Sequence, residues 1–169
     1  HTGTAAALDT VNGGAGFVTE PYLFEQSRQL LAAGTEIRTF DLKPQLKWIE
    51  ADEKSHIFDV KIAAYLLNPL KNDYAYEDIA KDYLDLMVPS KEDYLGKKDF
   101  VTSSEEKPEE FLKMACYQAY INLMAKEPLA KQLEEEGMKE LFDKIEMPLV
   151  YTLSDMEKEG IAIDADALK

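Results

Sequence analysis

The sequence predicts a helix-rich α/β fold, and three observations predict it. Two short apolar runs flank Asn12-Gly13-Gly14 near the start, which is a hairpin signal. Residues 35–40 (TEIRTF) alternate and are β-branched, which reads as a further strand. From residue 58 onward apolar residues recur mainly at intervals of three and four, the period of helices.

Taken in order, residues 4–11 are expected as a strand and residues 15–19 as its antiparallel partner. The turn between them needs positive φ, which Asn and Gly tolerate. Pro21 suits the first turn of a helix carrying Leu23, Gln26, Leu30 and Leu31, and Gly34 closes it. The third strand follows. Asp41 is expected to cap a helix with Leu42, Leu46 and Ile49, Pro44 being tolerated in its first turn. Residues 50–55 are a polar loop. Phe58, Ile62, Tyr65 and Leu66 then predict a buried helix with Asp59 at its N-cap and Asn68-Pro69 as its stop. Residues 76–83 form a short helix with Ile79, Ala80, Tyr83 and Leu84 on one face.

Residues 88–108 are polar and weakly periodic and are expected to be an irregular connection. Pro108 starts a long helix with a broad apolar face of Phe111, Ala115, Tyr117, Ala119, Ile121, Leu123 and Met124. Pro128 kinks it or begins a new one. Gly137 breaks the pattern. Residues 138–158 are helical again, with Leu141, Ile145, Leu149, Leu153 and Met156 as the packed stripe, and Gly160 ends them. A short strand at residues 161–164 and a helix capped by Asp164 are expected to lead into something further on. His1 without an initiator Met reads as an internal fragment, and the opening residues carry no signal-peptide pattern.

Composition narrows the function classes. The 169 residues are 46% hydrophobic, which excludes a disordered chain, and no apolar run is long enough to span a membrane. One cysteine, Cys116, excludes an internal disulfide and fits a reducing compartment. With 19 Lys and Arg against 33 Asp and Glu, the net charge is −14. A chain that grips nucleic acid along its surface carries a basic stripe, and here only Lys43 with Lys47 and Lys97 with Lys98 cluster at all.

A search for chemistry finds little. His1 and His56 are the only histidines, and neither has a His or Cys at zinc-ligand spacing. Cys116 has no histidine near it in sequence and is expected as a small core residue. There is no phosphate-binding glycine loop. Trp48 is expected to pack against the sheet, and Tyr74, Tyr76 and Tyr83 to be core and rim residues. The acidic runs at residues 105–110 and 134–136 are solvated faces.

Three stretches carry a resemblance. "FDVKIAAYLLNP" at residues 58–69, "YEDIAKDYL" at 76–84 and "LFDKIEMPLVYTLSDMEKEGIAIDADAL" at 141–168 resemble the exonuclease region of bacterial DNA polymerase I, the family A repair polymerase, where it hands over to the polymerase thumb. The match at Glu146-Met-Pro-Leu-Val150, Met156-Glu157, Gly160, Ile163-Asp164 and Leu168 is long and ungapped. The resemblance implies a ribonuclease H-like fold with a mixed sheet flanked by helices. It divides the chain into an exonuclease-like domain, residues 1–145, and the junction and start of the thumb, residues 146–169.

In active members of that family four carboxylates hold two divalent ions, Mg²⁺ in particular, about 4 Å apart, and a tyrosine orients the attacking water. This sequence departs from the pattern at each point that aligns. The second motif resembles Asp41-Leu42-Lys43-Pro44-Gln45, and its metal-binding aspartate is Gln45. The third aligns with Met114-Ala-Cys-Tyr-Gln118, so its tyrosine is Met114 and its aspartate Gln118. The first motif, an Asp-x-Glu, has no counterpart; Asp9 is followed by Thr10 and Val11. Asp59 matches a family residue at a helix start, not a ligand.

The expectation is therefore a degenerate proofreading domain with no catalytic residue, no metal and no cofactor of its own, like those of several Gram-positive polymerase I homologues. It would support DNA synthesis in replication and repair by the polymerase domain of the same chain, which would contact the DNA. The implied protein is a cytoplasmic monomer with no membrane contact, whose parent resembles a nucleotidyltransferase. The alternatives are an active exonuclease with displaced ligands, drawing on Asp9, Asp41 and Asp59, and a vestigial nucleotide- or DNA-binding module.

Overall fold

A computed structural model describes residues 6–9, 15–18, 20–71, 73–160 and 162. The hairpin is present: β1 (Ala6–Asp9) pairs antiparallel with β2 (Ala15–Val18). Its turn residues, and the strand and helix expected from residue 161 on, lie outside the described residues. Helix α1 (Glu20–Ala32) follows, and Gly34 takes positive φ just past its end. The chain is mixed and helix-rich as expected, but its strands form two separate pairs. β3 (Ile37–Thr39) does not join the hairpin; it pairs in parallel with β4 (Ile57–Asp59), Thr39 opposite Asp59. Phe58, expected inside a helix, belongs to this strand.

Helix α2 (Leu42–Gln45) is one turn long and α3 (Val60–Leu67) starts straight from β4. The buried positions Val60, Ala63, Ala64 and Leu66 follow the helical period, while Tyr65 faces outward. Helix α4 (Tyr76–Leu84) buries Ile79 and Ala80. Residues 88–108, expected to be irregular, contain two capped helices, α5 (Lys91–Leu95) and α6 (Phe100–Glu106). Ser90 and Asp93 cap each other reciprocally, and Asp99 accepts from the Thr102 N–H, so short polar segments hold helices where apolar periodicity is absent.

Helix α7 (Pro108–Glu135) is the axle of the chain. Ile121, Ala125, Leu129 and Leu133, each one turn from the last, pack into the core with residues of α2, β4, α3 and α4. The apolar face expected from the sequence is displaced. Leu123 and Met124 are exposed, and Met114, which that face omitted, is buried in a second cluster with Tyr94 and Leu95. Cys116 is exposed on this helix, not in the core. Pro128 does not end the helix. The Arg38 guanidinium donates to the Leu123 carbonyl of this helix at 2.6 Å.

After Gly137, α8 (Lys139–Leu141), one wide turn (Phe142–Glu146) and α9 (Met147–Glu159) run as a continuous helix. The residues buried on it are Phe142, Met147, Val150 and Ser154, with the Phe142 ring 5.0 Å from that of Phe58. The expected stripe of Leu141, Ile145, Leu149, Leu153 and Met156 is exposed instead. The wide turn inserts an extra residue and rotates the following helix, so the better-periodic face is the outer one. Trp48 is exposed as well; its nearest aromatic neighbour is Phe24 of α1, with ring centroids 6.5 Å apart.

Candidate functional site: a buried carboxylate at the strand ends

Ligands of parallel sheets bind beyond the carboxyl ends of the strands. Here that edge carries Thr39, Phe40 and Asp41 after β3 and Asp59 at the end of β4. Asp59 is wholly buried. Its Oδ1 accepts from the backbone N–H groups of Asp41 at 3.1 Å, Lys61 at 2.9 Å and Ile62 at 3.3 Å, and its Oδ2 accepts from Leu42 at 2.6 Å. One carboxylate thus caps α3, as expected, and also the start of α2. Burial pushes the Asp59 carboxyl above the usual aspartate range, and its four N–H partners oppose that shift without cancelling it.

Asp41 does not cap α2 as expected. Its backbone takes the left-handed conformation, φ 61°, and its own side chain makes no cap. The Asp41 carboxylate instead accepts from the Lys61 ammonium at 2.7 Å. That ammonium also lies 5.8 Å from the centre of the Phe40 ring. Phe40 stacks on Tyr76 at 4.2 Å. Burial raises the Tyr76 phenol, the charges of Asp59 and Asp41 add to the shift, and a hydrogen bond from Asn122 opposes it.

Gln45, the last residue of α2, is fully engaged. Its Oε1 accepts from the Thr39 hydroxyl at 2.9 Å, and its Nε2 donates to the carbonyls of Phe40 at 2.8 Å and Asp41 at 3.0 Å. Gln118 is half-buried on α7, one turn beyond Met114, and no described hydrogen bond joins it to Gln45. The structure gathers Asp41, Gln45 and Asp59 at one edge and leaves Met114 in the second cluster. Asp9 carries no described side chain. His56 is exposed.

Sequence reasoning missed Lys61 and Thr39. Lys61 had a signal: a cation in the first turn of a helix opposes the helix dipole, so its placement there calls for a partner.

A pair of divalent ions needs several anionic oxygens with free lone pairs. Asp59 spends both oxygens on backbone N–H groups, Gln45 offers a neutral oxygen already in use, and Asp41 faces an ammonium. This donor set does not fit two dications. Among the described residues no group of three or more His, Cys, Asp or Glu side chains is placed to share an ion. No described helix is long and apolar enough to cross a membrane. A surface depression of about 900 Å³ runs between α4 and α7 and includes none of Asp41, Gln45 or Asp59.

Fold and site therefore define a helix-rich α/β chain whose polar centre is satisfied by its own groups. Its sequence is related to bacterial DNA polymerase I. The enzyme of that name from Bacillus subtilis (strain 168) is 36% identical over 126 residues, 73% of this chain and 14% of the relative. That of Helicobacter pylori (strain J99) is 34% identical over 141 residues, 76% of this chain and 14% of the relative. That of Streptococcus pneumoniae (strain R6) is 32% identical over 139 residues, 79% of this chain and 15% of the relative. The chain thus spans about a seventh of the length of these relatives. No family model and no solved structure matches it.

Proposed function

We propose that this chain is the degenerate 3′-5′ exonuclease-like part of a bacterial DNA polymerase I of family A, retained as structural support for DNA synthesis in replication and repair. Its fold is a helix-rich variant of the ribonuclease H-like fold. Residues 1–145 form the exonuclease-like unit and residues 146–169 the junction and start of the thumb, the helix Lys139–Glu159 bridging the two. The parent is a cytoplasmic monomer and contacts DNA through its polymerase part.

The observation that carries this reading is the chemistry at the strand ends. Where the family's second motif supplies a metal-binding aspartate, Gln45 stands with its amide spent on Thr39, Phe40 and Asp41. Asp41 beside it is paired with Lys61, a cation built into the chain. A neutral amide cannot offset two dications, so the site is inert in hydrolysis and the domain acts through its shape. Met114 and Gln118 replace the groups that would orient water and complete the ligand set.

Calorimetric titration with Mn²⁺, with and without a nucleoside monophosphate, tests the reading. No binding near millimolar metal is expected, together with no Mn²⁺-dependent shortening of single-stranded DNA. Saturable two-site binding would overturn it.

A further inference from the structure

The helix from Lys139 to Glu159 changes register part-way along. The backbone angles of Leu141, Glu146 and Met147 are all helical, so α8, the wide turn and α9 run on without a break. Within this helix the Met147 N–H donates to the Phe142 carbonyl, five residues back instead of four. The next residue supplies the cause. In a plain α-helix the Lys144 carbonyl would look to residue 148 for an N–H, but Pro148 has none, and its ring would press on that same carbonyl. Lys144 lies inside the wide turn, Phe142–Glu146.

The wide turn holds one extra residue, so everything after it is set back by about 100°, the angle of one residue in an α-helix. Without that setback, Leu149 and Leu153 would lie within about 20° of the direction of buried Phe142, Met156 within about 40°, and Met147 about 140° away. With it, Met147, Val150 and Ser154 lie within about 40° and Met156 about 140° away. The observed burial follows the second arrangement, with Met147 7% exposed and Met156 63%. Two registers thus compete for one core. The plain register would put Leu149 and Leu153 where Val150 and Ser154 now sit, so apolar burial favours it. It would also put Glu146 in the slot of Met147, and an unpaired carboxylate there is costly.

We propose that Pro148 is a positioning residue that locks the wide turn, and that Glu146 is a second lock. Together they decide which of two apolar faces of this helix is buried and which is offered outward. The fold carries a two-register device, in which the width of one turn exchanges Met147, Val150 and Ser154 for Leu149, Leu153 and Met156 at the core.

Oxidation of the 169-residue chain by hydrogen peroxide, read by peptide mass spectrometry, tests the lock, because the two registers exchange Met147 and Met156. Met87, 85% exposed and outside this helix, is the internal reference. In the parent chain Met156 is expected to oxidise roughly ninefold faster than Met147, the ratio of their exposures. The double variant Pro148→Ala, Glu146→Leu lacks both locks, and in it Met147 is expected to become the faster by several-fold, with Met87 unchanged. The parent order in a folded double variant would overturn the proposal. Glu146→Leu alone leaves Pro148 in place and is expected to keep the parent order; inversion there would overturn the role of Pro148. A further variant decides the matter where the double variant does not fold. Deleting Ile145 from Pro148→Ala removes the extra residue, so that a plain helix presents the faces now observed. That variant is expected to fold, by circular dichroism, and to keep the parent order. Loss of folding or an inverted order in it would overturn the proposal.

Discussion

Lys61 and Asp41 face each other across the ends of the parallel strands, ammonium to carboxylate at 2.7 Å. The pair is partly open to water, with side-chain exposures of 34% and 42%. A pair so exposed gains little net energy, because solvent screens it and two flexible side chains must be held. Lys61→Ala is therefore expected to lower stability by less than about 1 kcal/mol in urea denaturation. A loss several times larger would show that the ammonium, not the backbone around Asp59, holds this edge together.

Asp59 is the opposite case. Its two oxygens satisfy four backbone N–H groups at the starts of two helices, and no water reaches it. Asp59→Ala leaves those donors without partners and is expected to cost about 3 kcal/mol or more. Asp59→Asn keeps the shape but turns an NH₂ donor toward N–H donors, so it is expected to recover only part of that loss. Full recovery by Asn would mean that the bonds matter less than the packed volume.

How legible was this in the sequence? Local signals worked where local forces decide. Gly34, Asp59 as a cap and Pro108 as a helix start are single-residue preferences, and the elements follow them. The pairing of β3 with β4 was invisible, because β4 is three residues long and runs directly into α3, so its Phe58 matched the helical period. Helices α5 and α6 were missed because their capping side chains, Ser90, Asp93 and Asp99, announce them while apolar periodicity does not. The last helix was found but read inside out. Two apolar faces compete there, and burial depends on which of them the rest of the fold reaches. At the site, Gln45 and Asp59 were legible as types, but the double cap by Asp59 and the Lys61–Asp41 pair depend on strand pairing that no short stretch encodes.

Placing carboxylates at positions 45 and 118 is expected not to create a metal site. Gln45→Asp removes a donor to the Phe40 and Asp41 carbonyls and sets a second anion near Asp41. The Gln45→Asp, Gln118→Asp double variant should lose about 1–2 kcal/mol of stability and still show no calorimetric Mn²⁺ binding near millimolar metal, because Lys61 and the saturated Asp59 remain. Metal binding with cleavage of single-stranded DNA by the double variant would overturn the proposal that Lys61 and Asp59 exclude metal from this edge.

Tyr151 of α9 sets an alkaline limit. Burial pushes its phenol up to about 12, and the negative charges of Asp52 and Glu53 add to the shift. Below the ordinary value of 10.0 the folded and unfolded chains both hold the proton, so its contribution to stability is fully present there. Above 10.0 the unfolded chain releases the proton while the folded chain keeps it to about 12, so stability falls across that window. Tyr76 and Tyr83 are shifted the same way by burial and add to the fall. Tyr151→Phe removes one titrating group, so the variant's urea midpoint should drop less steeply with pH above 10 than that of the parent chain. Tyrosinate absorbance should show fewer phenols titrating near 10.0 in the folded parent than in the unfolded chain, and Tyr151→Phe should narrow that difference by one. Parallel pH profiles for the two proteins would show that Tyr151 titrates in the folded chain as it does in water.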